Sequence, residues 1–253
     1  MLLHGPGLEA SPGGRVPASG AVQVSGHLDS RYTAASMGWT ISTPGSGQRP
    51  RAIVYCLHAK GGDHRMAFDG IGVPDVAASV GLAVAVAAVD GGPDSYWHRR
   101  ADGSDALAML LREFVPLVRA RLGPLPQALM GWSMGGYGAL LAAERAAGQF
   151  RAVTPASPAL WLTPAATAPG AFDSPADFYA SDVFAGAGDL RAMTVAVFCG
   201  TADPFCPATR RLVHLMDYPH QAHFGPGGHY NAYWRSIAAA QLRAIGAAPG
   251  IAR

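Results

Sequence analysis

Leu129-Met-Gly-Trp-Ser133-Met-Gly-Gly-Tyr-Gly-Ala-Leu140 is the stretch on which the reading of this chain turns. Its first half completes the apolar run Gln127–Trp132, which reads as a strand; its second half opens the Ala/Leu-rich run Met134–Ala147, which reads as a helix ending near Gly148. Between them Gly131-Trp-Ser133-Met-Gly135 matches G-x-S-x-G, and strand, turn and helix in that order are what a nucleophile elbow requires. Glycine on both flanks lets neighbouring backbone approach without a Cβ in the way. The turn would project the Ser133 hydroxyl at the carboxyl edge of a sheet, beside a helix N-terminus that favours developing negative charge.

Outward from this segment the same alternation continues. Ala52–Leu57 and Leu82–Val89 are continuous apolar runs, as expected of strands buried on both faces of a parallel sheet. Arg151–Ala156, Met193–Cys199 and Gln221–Phe224 read as further strands, and Ala21–Ser25 with Tyr32–Thr43 as an antiparallel opening pair. Helical spacing covers Asp105–Leu122, with Ser104 as N-cap and a kink expected at Pro116, and then Pro207–Met216 and Asn231–Ile245. Strand and helix in turn predict a mostly parallel, doubly wound α/β sheet with antiparallel N-terminal strands. The organisation expected is a loose Gly/Pro/Ser-rich lead-in over residues 1–20 and one domain over 21–250. Residues 157–190, long and Pro-rich between two strands, form an insertion or minimal cap.

Composition narrows the function classes. A chain of 253 residues with 49% hydrophobic and only 14% charged residues can bury a large core, which excludes a disordered or fibrous protein. The net charge of +2 comes from scattered arginines and one lysine, Lys60, so no nucleic-acid groove is expected. Cys56, Cys199 and Cys206 make an odd count with no C-x-x-C pair, which argues for idle thiols and against a metal site or disulfide framework. No apolar run is long enough to span a membrane, and the N-terminus lacks the features of a signal peptide. A cytoplasmic protein is the expectation; a longer N-terminus would leave room for an export signal.

A serine hydroxyl needs an imidazole to take its proton, and the imidazole needs an acceptor to fix its tautomer. Asp203 follows the apolar strand in VAVFCGTADPF, where Gly200 and Pro204 permit a sharp loop. Asp182, Asp189 and Asp217 have no strand immediately before them. His229 stands in Gly225-Pro-Gly-Gly-His-Tyr just before the last helix, whereas His214, His220 and His223 fall in a helix, a loop and a strand. Two backbone N–H groups are required where the carbonyl oxygen turns negative. Met134, next after the serine, would give one; the turn His58-Ala-Lys-Gly-Gly-Asp would give the other, from Lys60.

These residues resemble the α/β-hydrolase superfamily, and within it the "putative esterase" family that includes esterase D (S-formylglutathione hydrolase) and the antigen 85 mycolyltransferases. The resemblance rests on LHAKGG after a strand, Asp90-Gly-Gly-Pro-Asp-Ser-Tyr-Trp-His, GWSMGGYGAL, Ala156-Ser-Pro-Ala-Leu-Trp161 and a GGH-x-x-x-YW ending, spanning about residues 50–245. It implies the α/β-hydrolase fold and an ester or thioester acyl-enzyme mechanism with no cofactor. Ala59 stands where that family usually has Gly, and neither subfamily's marks are present to transfer its substrate.

The sequence therefore predicts a serine carboxylesterase-type hydrolase acting on a small-molecule ester or thioester through Ser133, Asp203 and His229. Tyr96, Trp97 and His98, after a strand end on the same edge, and Trp161 in the insertion are expected to line the substrate, with Phe172, Phe178 and Tyr179 as further wall candidates. The alternatives are an acyltransferase passing the acyl group to a carbohydrate or lipid alcohol, and a non-catalytic relative that binds a ligand or partner.

Overall fold

The strand-reading runs pair into one eight-stranded sheet. In chain order they are β1 (Val22–Ser30), β2 (Ala35–Thr43), β3 (Ala52–Leu57), β4 (Val84–Val89), β5 (Gln127–Trp132), β6 (Ala152–Ala156), β7 (Thr194–Gly200) and β8 (Gln221–Gly225). The computed structural model describes residues 18–45 and 47–251, so most of the expected lead-in over 1–20 lies outside the described residues. Across the sheet the order is β1-β2-β4-β3-β5-β6-β7-β8. β1 and β2 are antiparallel, β2 pairs antiparallel with β4, and every remaining pair is parallel.

Helices cover both faces. They are α1 (Val73–Ser79), α2 (Ala106–Met109), α3 (Val115–Leu122), α4 (Met134–Arg145), α5 (Pro175–Ala180), α6 (Cys206–Leu215) and α7 (Asn231–Gly246). Strand β3 shows why its sequence is apolar without a break. Ile53, Tyr55 and Leu57 point into the core shared with α2, α3, α4 and α6, while Ala52, Val54 and Cys56 point into the opposite core with α1 and α7. Cys56, Cys199 and Cys206 are free and buried, as idle thiols should be.

Three local readings need correction. The first is the cap: Asp105, not Ser104, caps the helix after residue 104, its carboxylate accepting from the Ala108 N–H at 2.8 Å. Ser104 turns back to Asp102 instead. The second is the kink expected at Pro116: the helix widens into a π-turn over Leu110–Phe114, just before the proline that cannot donate to it. The third is α1, absent from the sequence reading: seven residues bounded by Gly72 and Gly81 are too short to show a period. Between β6 and β7 the chain carries α5 and two stretches of 3₁₀ helix, Pro164–Ala166 and Ala187–Ala192. None of the helices in the described residues is long and apolar enough to cross a membrane.

Candidate active site

Parallel register brings the carboxyl ends of β5, β6 and β7 level: Trp132 pairs with Ala156, and Ala156 with Phe198. The ladder runs one step past the strands, with the Ser133 N–H on Ala156 O at 3.0 Å and the Ser157 N–H on Phe198 O at 2.7 Å. The loops after these three strands thus open from one edge.

Ser133 has φ 54° and ψ −117°, a conformation that only a turn held from both sides will impose on a residue with a Cβ. A Cβ on Gly131 would collide with the Gly135 backbone, and one on Gly135 with Leu57 O and His58 O. The flanking glycines therefore let the turn close on itself and let the β3 loop press against it. Only 7% of Ser133 is exposed.

His229 and Asp203 meet Ser133 from the ends of β8 and β7. His229 Nε2 lies 2.7 Å from Ser133 Oγ, and His229 Nδ1 lies 2.9 Å from Asp203 Oδ2. The network sets the tautomer: a carboxylate beside Nδ1 takes its N–H, leaving Nε2 to accept from the serine hydroxyl. Burial drives the Asp203 carboxyl toward its neutral form, but hydrogen bonds from His229, the Ser157 side chain and the Phe205 N–H outweigh burial and hold it below the ordinary carboxylate range. The exposure divides accordingly: the His229 side chain is 25% exposed and that of Asp203 not at all. Only the imidazole is open to a reactant. Gly227 makes the approach of this loop possible, since a Cβ there would run into the Tyr233 ring.

The two N–H groups singled out in the sequence belong to the elbow itself and to the β3 loop that packs against it. Met134 opens α4, so its N–H is one of the helix's orphan donors. In the β3 loop the Ala59 N–H meets Met66 Sδ at 3.3 Å and the Gly61 N–H meets Pro93 O at 2.6 Å, while the Lys60 N–H between them takes no acceptor among the described residues. Ala59 is not among the positive-φ residues, so this turn tolerates alanine without strain. His58 fastens it: Nδ1 donates to Ala59 O at 2.9 Å and Nε2 accepts from the Gly91 N–H at 2.9 Å. Burial pushes the pKa of His58 down, keeping it neutral with this tautomer.

The expected substrate wall is largely corrected. Trp97 is fully buried, wedged between Gly91 and Gly138, and belongs to the core. His98 is buried too: its Nδ1 pairs with Arg99 O, its Nε2 with Ala171 O, and its ring stacks on Phe172 at 4.9 Å. Tyr96 is 4% exposed and backs Trp161 at 5.6 Å rather than facing solvent. Phe178 is buried, and Tyr179 points outward. Trp161 alone of the named four is half-buried, and its edge meets Phe205 at 5.2 Å, which in turn meets His229 at 5.1 Å. Phe205 stands outside the sequence expectations; its position two residues after Asp203 is the one signal in the sequence that marks it. Ser157 and Trp234 stand in the sequence only within the motifs that carry the family resemblance.

Comparison with known proteins agrees with this architecture. The Esterase family model, described as "Putative esterase", matches residues 90–245. Similar solved structures include a ferulic acid esterase at TM-score 0.77 and 20% identity, covering 89% of this chain and 97% of that one. An S-formylglutathione hydrolase from Agrobacterium tumefaciens aligns at TM-score 0.74 and 15% identity over 90% and 95% of the two chains. A fluorophosphonate-binding serine hydrolase of Staphylococcus aureus aligns at 0.68 and 19% over 89% and 98%. A search of curated proteins by sequence finds no match.

Proposed function

This chain belongs to the "putative esterase" family, and from that premise we propose that it cleaves a small carboxylic ester or thioester through an acyl-enzyme on Ser133. The observation that supports this most is the unbroken line from Ser133 Oγ through His229 to Asp203, at 2.7 and 2.9 Å. Ser133 Oγ attacks the carbonyl carbon while its proton passes to His229 Nε2. The carbonyl π-electrons move onto oxygen, and the oxyanion rests on the N–H groups of Lys60 and Met134. As the carbonyl reforms, the bond to the alcohol or thiol breaks and the leaving group takes the proton from His229. Water then enters, gives a proton to the same nitrogen, and attacks the acyl-enzyme; collapse returns that proton to Ser133 and frees the acid. Asp203, buried and anionic, stabilises the imidazolium formed in each half. Trp161 and Phe205 flank the path to the serine and would lie against the acyl group.

The test is labelling with a fluorophosphonate probe alongside hydrolysis of p-nitrophenyl esters of increasing acyl length. Ser133→Ala is expected to abolish labelling and to lower kcat by roughly 10⁴- to 10⁶-fold. Labelling that persists in Ser133→Ala would remove the basis of this reading. Preference for flat acyl groups is expected from the aromatic flank of Trp161 and Phe205.

A further inference from the structure

Behind the three residues of the proposed mechanism stands a second line of side chains that the mechanism does not use. The Trp234 indole N–H donates to Ser157 Oγ at 3.0 Å. An indole N–H can only donate, so this bond commits the Ser157 oxygen to accepting and leaves its single proton for another partner. Ser157 is completely buried, and its hydroxyl is one of the groups that hold the Asp203 carboxyl below the ordinary carboxylate range. The ring of Trp234 also meets the His229 imidazole edge-on at 5.1 Å and 87°, while Phe205 meets it at 5.1 Å and 66°. The imidazole is thus held between two aromatic rings, one of which is tied to the serine beside the acid. Ser157 itself has φ 47° with a proline following, and its N–H is fixed on Phe198 O. A non-glycine residue held in that region marks a position where the surroundings overrule local preference.

We propose that Trp234 and Ser157 are positioning residues for the acid and base, with the polarity Trp234 N–H to Ser157 O–H to Asp203 carboxylate fixed by the indole. The inference rests on the assignment of Asp203 and His229 made above. Its physical content is that the carboxylate accepts from the His229 Nδ1–H and the Phe205 N–H, each at 2.9 Å, and that the buried Ser157 hydroxyl, turned by the indole, is the further group that favours its charge. Losing one leaves the carboxylate less constrained and the imidazole less well aimed, at a step where misplacement by an ångström is costly. Neither residue touches the reacting atoms, so substrate binding is not affected.

Trp234→Phe keeps an aromatic edge and removes the donor; Ser157→Ala removes the relay hydroxyl. Each is expected to lower kcat by about 10- to 100-fold, the range for one hydrogen bond to a charged group, with KM within about two-fold. In an Asp203→Asn background neither change should lower kcat further, because both act through that carboxylate. Circular dichroism and thermal midpoints establish that each variant folds, and Ser157→Ala carries the test should Trp234→Phe not fold. Wild-type kcat in folded variants, a rise in KM at constant kcat, or full additivity with Asp203→Asn would each overturn the proposal. Retained activity in Ser133→Ala would instead defeat the underlying assignment, so the two failures are told apart.

Discussion

Among the turns at the carboxyl edge of the sheet that hold non-glycine residues in the left-handed region, the elbow and the loop after β4 do it in different ways. At the elbow, Ser133 (φ 54°) is forced by backbone closing on backbone, with Gly131 and Gly135 vacating the space. In the loop after β4, Tyr96 (φ 49°) and Trp97 (φ 56°) are forced by a side chain: Trp97 is driven into a slot between Gly91 and Gly138. A Cβ on Gly91 would lie 2.6 Å from that indole ring. Each turn therefore uses two glycines, but the first sets the Ser133 hydroxyl against His229 Nε2 and the second buries an indole in the core. Strain at a site edge serves either purpose; what tells them apart is whether the strained residue's side chain leaves the core or enters it.

Deleting the indole should produce the largest effect. Trp97→Ala empties the slot and is expected to cost about 3–5 kcal/mol, read as a lower urea midpoint at unchanged m. A loss below about 1 kcal/mol would mean that the slot collapses freely and that the turn is not held by its side chain. At the elbow the expected loss is of activity more than of stability. Gly131→Ala places a methyl against the Gly135 backbone, displaces Ser133 and should lower kcat by about 100-fold, equivalent to roughly 2.7 kcal/mol of transition-state stabilisation. Wild-type kcat would show that the turn does not need the close approach seen here. Gly138→Ala should come next, at about 1–3 kcal/mol of stability, since its methyl meets Trp97 and not the loops that carry Ser133, Asp203 and His229. If it lowered kcat as much as Gly131→Ala at full stability, the division of labour between the turns would be wrong.

The same comparison accounts for what the sequence disclosed. The elbow's two glycines stand two residues either side of Ser133, so a pentapeptide displays the whole device. The glycines that bury Trp97 lie at 91 and 138, in different elements, and nothing near residue 97 announces them. Hence Trp97 reads as a wall residue from its strand-end position, and His98 likewise, although Ala171 O and Phe172 from the insertion enclose it. The strands were legible because burial on two faces writes an unbroken apolar run, as in Val84–Val89. The juxtaposition of Ser133, Asp203 and His229 followed from their places after β5, β7 and β8. Ser157 after β6 obeys the same rule, but a serine before a proline reads as an ordinary turn until its donor, Trp234, is found 77 positions away.

His58 ties the loop after β3 to the loop after β4, and pH offers the finest probe of that tie. It bridges Ala59 O in the Lys60 loop to the Gly91 N–H in the Trp97 loop, which it can do only as the neutral tautomer protonated on Nδ1. Burial lowers its pKa in the folded protein, against the opposing pull of its bond to Ala59 and the charge of Asp90. In the unfolded chain a histidine titrates near 6.5, so below about that pH the unfolded state takes up a proton that the native state does not. Stability should therefore fall as pH drops from about 6.5, by at most about 1.4 kcal/mol per unit, until the folded pKa is reached; above 6.5 this residue contributes no slope. Asp90 and Asp203 act elsewhere on the scale. Burial raises both and their hydrogen bonds lower them further, so the stability they lend is present above the unfolded carboxylate value near 3.9 and is lost only in stronger acid. His58→Gln keeps an oxygen to accept from the Gly91 N–H but has no proton to gain. Its denaturant stability between pH 5 and 6.5 should be flatter than that of the wild type by the slope above, and an identical slope in the two proteins would show that the tie between the loops does not titrate.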